Sequence, residues 1–210
     1  MYKYVIFDVD GTMIDTEVAI LKALQMTLNE EEGKEYTIDD LRFTFGLTSL
    51  EALKQLHVRD PERVEDIWQK KVLDFVHEVK VFPGIEKVLQ QLTKHGVKLG
   101  IVTSKTRQEY NDEFVPFGLA PYFTYTVCVD ETSKHKPDPE PMFACLKGLA
   151  AKPEETLYIG DTVHDLNCAK ASSVAFGLAS WGAHDDDFEA SEYIFEKPED
   201  ILHLWRNKND

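Results

Sequence analysis

A chain of 210 residues with 43% hydrophobic and 11% aromatic content has material for a full core, with room for one large unit and a smaller insert. Its 38 acids against 23 Lys and Arg give a formal net charge of -15, a field that repels nucleic acid and anionic membrane. Cys128, Cys145 and Cys168 lack metal-ligand spacing and the seven histidines form no paired grouping, which argues against zinc and for a reduced, cytoplasmic setting. A strand that begins within three residues of the start leaves no room for a signal peptide, and no apolar run approaches membrane-spanning length.

The first predicted element is a buried strand at Tyr4-Val5-Ile6-Phe7, running into Asp8-Val9-Asp10-Gly11-Thr12. Side chains two apart on an extended chain share a side, so Asp8 and Asp10 can face one site. Two carboxylates that close repel unless a cation lies between them or one keeps its proton. Asp8 is thereby a candidate metal ligand and nucleophile, and Asp10 a candidate proton shuttle. The same tetrapeptide also serves as an ordinary turn after a strand, and the glycine and closing Glu of a calcium loop do not follow it.

Nearly seventy residues of helical pattern come next. Asp15 or Thr16 caps a helix with Ile20, Ala23, Leu24, Thr27 and Leu28 at helical spacing, ending near Gly33. Capping boxes at Thr37 and Thr48 open two short helices, the first ending at Gly46. Asp60-Pro61 starts another, running through Trp68, Val72 and Phe75 toward His77. These four helices predict a helical cap over residues 15–81, inserted into a core of residues 1–14 and 82–210.

From Val81-Phe82-Pro83-Gly84 onward helix and strand alternate. Helices are expected at 85–95, 107–117, 139–149 and 163–172, and strands at 97–103, 125–129, 156–159 and 174–178. The fold class is α/β, a Rossmann-like parallel sheet with helices on both faces, and its ligand crevice lies beyond the carboxyl ends of the strands. Standing at that edge are Asp8 and Asp10, then Thr103-Ser104-Lys105, then Lys134-His135-Lys136, and then Gly160-Asp161 with Asp165 four residues on. Singly, Thr103 serves as a helix cap, Lys136 as a solvated lysine and Asp165 as a helix-dipole acid, but their convergence at four strand ends favours catalysis. Lys105, Arg107 and Lys134 are candidates for steering an anionic substrate. His135 and His164 face solvent or pack beside the motifs, and Asp185-Asp186-Asp187 reads as a solvated loop.

These four segments, in this order, resemble the haloacid dehalogenase superfamily over nearly the whole chain, and the insert resembles the small helical cap of its phosphoglycolate phosphatase-like branch. The resemblance implies a Mg²⁺-dependent phosphatase acting on a small phosphorylated metabolite through an aspartyl phosphate. Asp8 is then the nucleophile and Asp10 the acid and base, its backbone carbonyl also ligating metal. Thr103 and the Ser104 amide bind phosphate, Lys136 neutralises charge on Asp8 and the phosphoryl group, and Asp8, Asp10 and Asp161 form the metal set. Asp165 orients a metal-bound water or Lys136, while Gly11 and Gly160 let backbone approach phosphate and metal.

Alternatives are a β-phosphoglucomutase-type phosphomutase, a pyrophosphatase, and a catalytically silent binding protein. The mutase branch typically has Val at the place of Thr12 and a cap histidine that residues 16–20 lack. A dehalogenase needs no proton donor two residues after its nucleophile, so Asp10 favours phosphoryl chemistry. Arg42, Thr48, Ser49 and Lys54 are the polar cap candidates for specificity. A monomer or weak homodimer is expected.

Overall fold

The computed structural model describes residues 2–44, 47–184 and 188–205. In chain order its strands and helices are β1 (Tyr4–Phe7), β2 (Ile14–Asp15), α1 (Glu17–Glu32), α2 (Ile38–Leu41), α3 (Ser49–Gln55) and α4 (Pro61–Val72), then β3 (Lys80–Val81), α5 (Ile85–Lys94) and β4 (Lys98–Val102). They continue with α6 (Arg107–Glu109), β5 (Tyr125–Val127), α7 (Glu140–Leu149), β6 (Thr156–Gly160), α8 (Val163–Ala171), β7 (Ala175–Ala179) and β8 (Tyr193–Phe195). Six parallel strands form the main sheet in the order β5-β4-β1-β6-β7-β8. The chain winds outward from β1 through β4 to β5, then returns to β6 on the other side, so the switch point of the doubly wound sheet lies at β1.

Alternation along β1 splits the core in two. Val5 and Phe7 join Leu99, Ile101, Leu157 and Ile159 on the face covered by Val88, Leu89 and Leu92 of α5. Ile6 joins Val102, Tyr158 and Phe176 on the face covered by α7 and α8. A third, separate cluster lies within residues 15–81: Leu21, Leu24 and Leu28 of α1 pack on Leu53 of α3 and on Val64, Trp68 and Val72 of α4.

Several helix limits follow the expected signals, but Thr16 opens α1 without a side-chain cap bond, and the helix expected to run toward His77 is α-helical only to Val72 and continues as 3₁₀ turns over Leu73–Glu78. Gly33 takes the left-handed conformation at φ 61° after α1, and Thr37, Thr48 and Asp60 accept hydrogen bonds from the backbone of the helices they open. Gly46 and Asp185-Asp186-Asp187 lie outside the described residues.

Three further features differ from the sequence expectation. Ile14–Asp15 and Lys80–Val81 pair as an antiparallel ribbon joining the two units, too short to leave a periodic signal. β8 is an additional three-residue strand. The helix expected over 107–117 is one turn of α-helix followed by a widened π turn at Tyr110–Phe114 and a 3₁₀ turn at Val115–Phe117. Pro116 has no N–H to continue an α-helical ladder there.

Candidate active site

β1 lies between β4 and β6, with Phe7 opposite Ile101 and Ile159, so the residues that follow these three strands emerge side by side. The Asp8 amide still bonds the Ile159 carbonyl at 2.9 Å, which fixes the backbone as it leaves the sheet. Asp8 is 4% exposed, and the Lys136 ammonium lies 2.9 Å from its Oδ2. Lys136 also donates to Asp165 Oδ1 at 2.7 Å. Asp165 is fully buried and uses both oxygens: Oδ1 also accepts the Tyr158 hydroxyl at 2.6 Å, and Oδ2 accepts the Thr162 amide at 3.0 Å and its hydroxyl at 2.6 Å. The capping box that starts α8 therefore also anchors the lysine facing Asp8.

Burial pushes the Asp8 carboxyl up to about 7; Lys136 opposes that rise, while Asp165 and Asp10 add to it. Burial would raise Asp165 as well, but Lys136 and the hydrogen bonds from Thr162 and Tyr158 hold it below the ordinary carboxylate range. Lys136 is itself held firmly protonated, since the two acids outweigh the cost of its burial.

Asp8, Asp161 and Asp165 each present an oxygen within 4.8 Å of the others. Asp161 receives the Thr12 hydroxyl at 2.7 Å, and its carboxyl is raised well above normal, first by burial and then by repulsion from Asp165 and Asp8. Three buried carboxylates against one ammonium leave an excess of negative charge on hard oxygen donors, a set that fits Mg²⁺. Asp165 is spent on its own partners, so Asp8 and Asp161 are the acids placed to ligate.

The carboxylate of Asp10 is not in this group; its expected part in the set of Asp8, Asp10 and Asp161 is through the backbone carbonyl. Its Oδ1 accepts the Thr16 hydroxyl at 2.8 Å and lies 3.1 Å from Lys105 Nζ, which leaves its backbone carbonyl as the route to a metal that the resemblance implies. Gly11 has φ +72° and a Cβ there would stand 2.1 Å from Asp161 Oδ2; one on Gly160 would stand 2.6 Å from Asp165. The close approaches that these glycines allow are thus to the site's own carboxylates.

Thr103 is buried at the end of β4, where its hydroxyl accepts the Lys105 amide at 3.2 Å. Ser104 lines the adjoining cleft. The Lys105 ammonium is 6% exposed and 2.5 Å from Glu113 Oε2; burial works against its charge, but Asp10 and Glu113 outweigh it and raise its proton affinity. Arg107 instead binds Glu131, and Lys134 binds Asp138, so of the three steering candidates only Lys105 reaches the site. Glu113 and Tyr158 were not legible in the sequence. Glu113 sits on the π turn, where helical spacing fails, and Tyr158 looks like one more core residue of an apolar strand.

The cleft over Asp8 has a volume of about 80 Å³ and runs between the core and residues 20–72. Among the cap candidates, Ser49 lines it. Arg42 pairs with Glu17 and Asp39, Thr48 caps α3 through Glu51, and Lys54 is exposed on α3, so none of these three forms its wall. Ile20, Leu47, Trp68, Gln69 and Val72 do, and the sequence assigned most of them to core packing or left them unremarked.

Residues 5–179 match the family model described as haloacid dehalogenase-like hydrolase. The chain belongs to this family. It is 30% identical over 207 residues to the pyrophosphatase PpaX of Anoxybacillus flavithermus, covering 95% of each chain. It is also 30% identical over 208 residues to the phosphoglycolate phosphatase of Aquifex aeolicus, covering 98% of this chain and 97% of the relative. The crystal structure of a putative phosphoglycolate phosphatase from Lactobacillus plantarum superposes with a TM-score of 0.91 at 29% identity, covering 97% of this chain and 99% of that one. The parallel α/β sheet is thus the fold of haloacid dehalogenase-like hydrolases, and the protein is a hydrolase of this family. Among the described residues no helix is long and apolar enough to cross a membrane.

Proposed function

We propose that this family member is a Mg²⁺-dependent phosphatase that hydrolyses a small phosphate monoester through an aspartyl phosphate on Asp8. The observation that carries this reading is the placement of Asp8 at the base of the cleft, with Lys136 on its Oδ2 and Asp161 beside it. Asp8 and Asp161, with the Asp10 carbonyl, would hold the metal, which when bound neutralises charge on the phosphoryl oxygens and draws the Asp8 carboxyl toward its ionised form.

A carboxylate oxygen of Asp8 attacks phosphorus as the bond to the ester oxygen breaks. Asp10 gives its proton to the departing alkoxide, which leaves as the alcohol. Lys136 balances charge at Asp8, and Thr103 with the Ser104 amide binds phosphoryl oxygens. Asp10, now ionised, takes a proton from water as the water oxygen attacks the aspartyl phosphate, releasing phosphate and restoring Asp8. Residues 15–81 serve as a cap that closes over the ester through the β2–β3 ribbon, excluding bulk water and supplying the specificity wall. A reduced, cytoplasmic setting is supported by the three free, buried cysteines, whose thiols burial pushes up to about 12.

The test is release of phosphate from p-nitrophenyl phosphate, with turnover that a chelator stops and Mg²⁺ restores. Asp8→Asn is expected to cut kcat beyond the roughly 10²–10⁴-fold attached to one acid–base group. Rapid-quench kinetics should show a short-lived phosphoenzyme on Asp8 whose discharge is not accelerated by glucose phosphates. A phosphoenzyme discharged chiefly to the sugar would make the protein a mutase, and full turnover by Asp8→Asn would remove Asp8 as nucleophile.

A further inference from the structure

The cleft wall that would surround the leaving group combines acids and hydrocarbon with the neutral polar side chains of Thr44, Ser49 and Gln69. Asp8, Asp10, Glu109 and Glu113 line it, and Lys105 is the single cation among its described lining residues. That cation is already held, 3.1 Å from Asp10 Oδ1 and 2.5 Å from Glu113 Oε2. The cap side adds Ile20, Leu47, Trp68 and Val72. Arg42, a cation of the same cap, is tied to Glu17 at 2.8 Å and Asp39 at 3.2 Å. Glu65 of α4 reports the same field from the cap side, its carboxyl pushed up to about 7 first by burial and next by repulsion from Glu109.

An anionic leaving group would lose water on entering this cleft and would meet carboxylates, hydrocarbon and a few neutral polar groups in exchange, with no unpaired cation among the described lining residues to balance its charge. The phosphoryl group itself would be met at Asp8 by Lys136 and by a metal held by Asp8 and Asp161, so the mismatch falls on the remainder of the substrate. A neutral alcohol buries its carbon against Trp68 and Val72 at a gain, and an ammonium group finds Glu109.

We propose that the leaving group is uncharged or cationic with an apolar face, so that the substrate is the phosphate monoester of an alcohol or amino alcohol bearing no second acid group. Phosphoglycolate and pyrophosphate are then poor substrates. The inference rests on the phosphatase reading and narrows it. Specificity is set by Glu109 and the apolar part of the cap wall, through the absence of a spare cation among the described lining residues as much as by the contacts made.

With Mg²⁺-loaded full-length protein, kcat/KM is measured for propyl phosphate, phosphoethanolamine, phosphoglycolate and pyrophosphate, with p-nitrophenyl phosphate as the general probe. Propyl phosphate and phosphoethanolamine are each expected to exceed the two acidic substrates by at least about tenfold. Two variants test the cause. Glu109→Gln keeps a side chain able to bond Thr106 in its capping box while removing the charge, and Leu47→Lys supplies the missing cation on a half-buried position. Each should raise phosphoglycolate relative to propyl phosphate by several-fold. A preference under tenfold, or one for phosphoglycolate or pyrophosphate, overturns the inference and leaves the phosphatase standing. Absence of turnover with every ester, the aryl phosphate included, overturns both.

Discussion

Lys105 Nζ lies 3.1 Å from Asp10 Oδ1, and the same oxygen accepts the Thr16 hydroxyl at 2.8 Å. With Oδ1 taken by two donors, Oδ2 is the oxygen left to carry a proton to and from the substrate. Thr16 stands at the start of α1, yet its side chain makes no cap hydrogen bond there. The residue that opens the cap's first helix is thus tied to the proposed acid instead of to its own helix, which links cap position to proton transfer.

Lys105→Met should therefore damage stability and turnover for separable reasons. Removing one member of a buried charge cluster leaves Asp10 and Glu113 uncompensated, at a cost of about 3–5 kcal/mol. The expected fall in Tm is roughly 10 °C. Adding Glu113→Leu should recover part of the Tm, since one of the two stranded acids is gone while Asp10 keeps the Thr16 hydroxyl. It should not recover turnover of alkyl phosphates, because Asp10 still lacks its partner. Thermal denaturation together with kcat on an alkyl ester checks this; recovery of both in the double variant would make Lys105 purely structural.

Tyr158→Phe removes the hydroxyl that Asp165 Oδ1 accepts at 2.6 Å while leaving the Lys136–Asp165 and Lys136–Asp8 contacts in place. Loss of a buried hydrogen bond to a charged acceptor should cost about 1–3 kcal/mol of stability. Turnover should fall less than about tenfold, because Lys136 stays held by both carboxylates. Asp165→Asn, which weakens the anchor itself, should cost far more activity, and kcat for the two variants measured side by side distinguishes the roles.

How much of this was legible depended on whether a residue belonged to a periodic element or to a meeting of distant ones. The strand ending in Asp8, the capping boxes at Thr37 and Thr48, and the four segments at the sheet edge carry local signals, and the sheet brings those segments together as expected. Asp10 and Asp165 were singled out for their chemistry, but which of them shares space with Asp8 and Asp161 depends on side-chain rotamers and on donors such as Lys105 and Thr16, which sequence spacing does not encode. The cap wall escaped for a different reason: Trp68 and Val72 satisfy helical core periodicity and also line the cleft, so their second surface has no separate signature.

Glu65 gives a pH-dependent prediction away from the metal set. Its carboxyl, normally near 4.5, is pushed up to about 7 by burial first and then by Glu109, Asp66 and Glu62, with Lys54 opposing. A raised pKa in the folded state means that the fold holds the proton more tightly than the unfolded chain. The contribution is fully present below about 4.5 and is lost as pH rises toward about 7, because over that window the native state binds more protons. Glu65→Gln should thus leave stability near pH 4 little changed and raise it at pH 8. Solvent screening of a half-exposed group keeps the gain to about 1 kcal/mol or less. That corresponds to roughly 2–4 °C in Tm at most. Parallel melting curves of the variant and the parent at the two pH values test the sign, and a gain confined to pH 4 would reverse it.

Gly182 bears on the Asp8–Thr12 motif from the far end of the chain. A Cβ at this position would stand 1.8 Å from the Gly11 carbonyl oxygen and 2.7 Å from its carbon, and backbone cannot yield as a flexible side chain would. The same loop is held by Trp181, whose indole N–H donates to the Thr12 carbonyl at 3.0 Å and whose ring meets Phe82 edge-on at 6.4 Å. Gly182→Ala must therefore push away the segment carrying Asp10 and Gly11, and with it the Gly11 backbone that sits against Asp161. A displacement near 1 Å at positioned groups can cost about 10²-fold in rate. Overpacking of this size typically costs about 1–3 kcal/mol of stability. The variant is expected to fold, with kcat reduced about 100-fold and weakened protection of the protein by Mg²⁺ against thermal unfolding. Trp181→Phe, which loses one hydrogen bond but adds no clash, should lower kcat much less. Wild-type kcat and unaltered Mg²⁺ protection in Gly182→Ala would show that the motif loop tolerates the shift and that Gly182 serves packing alone.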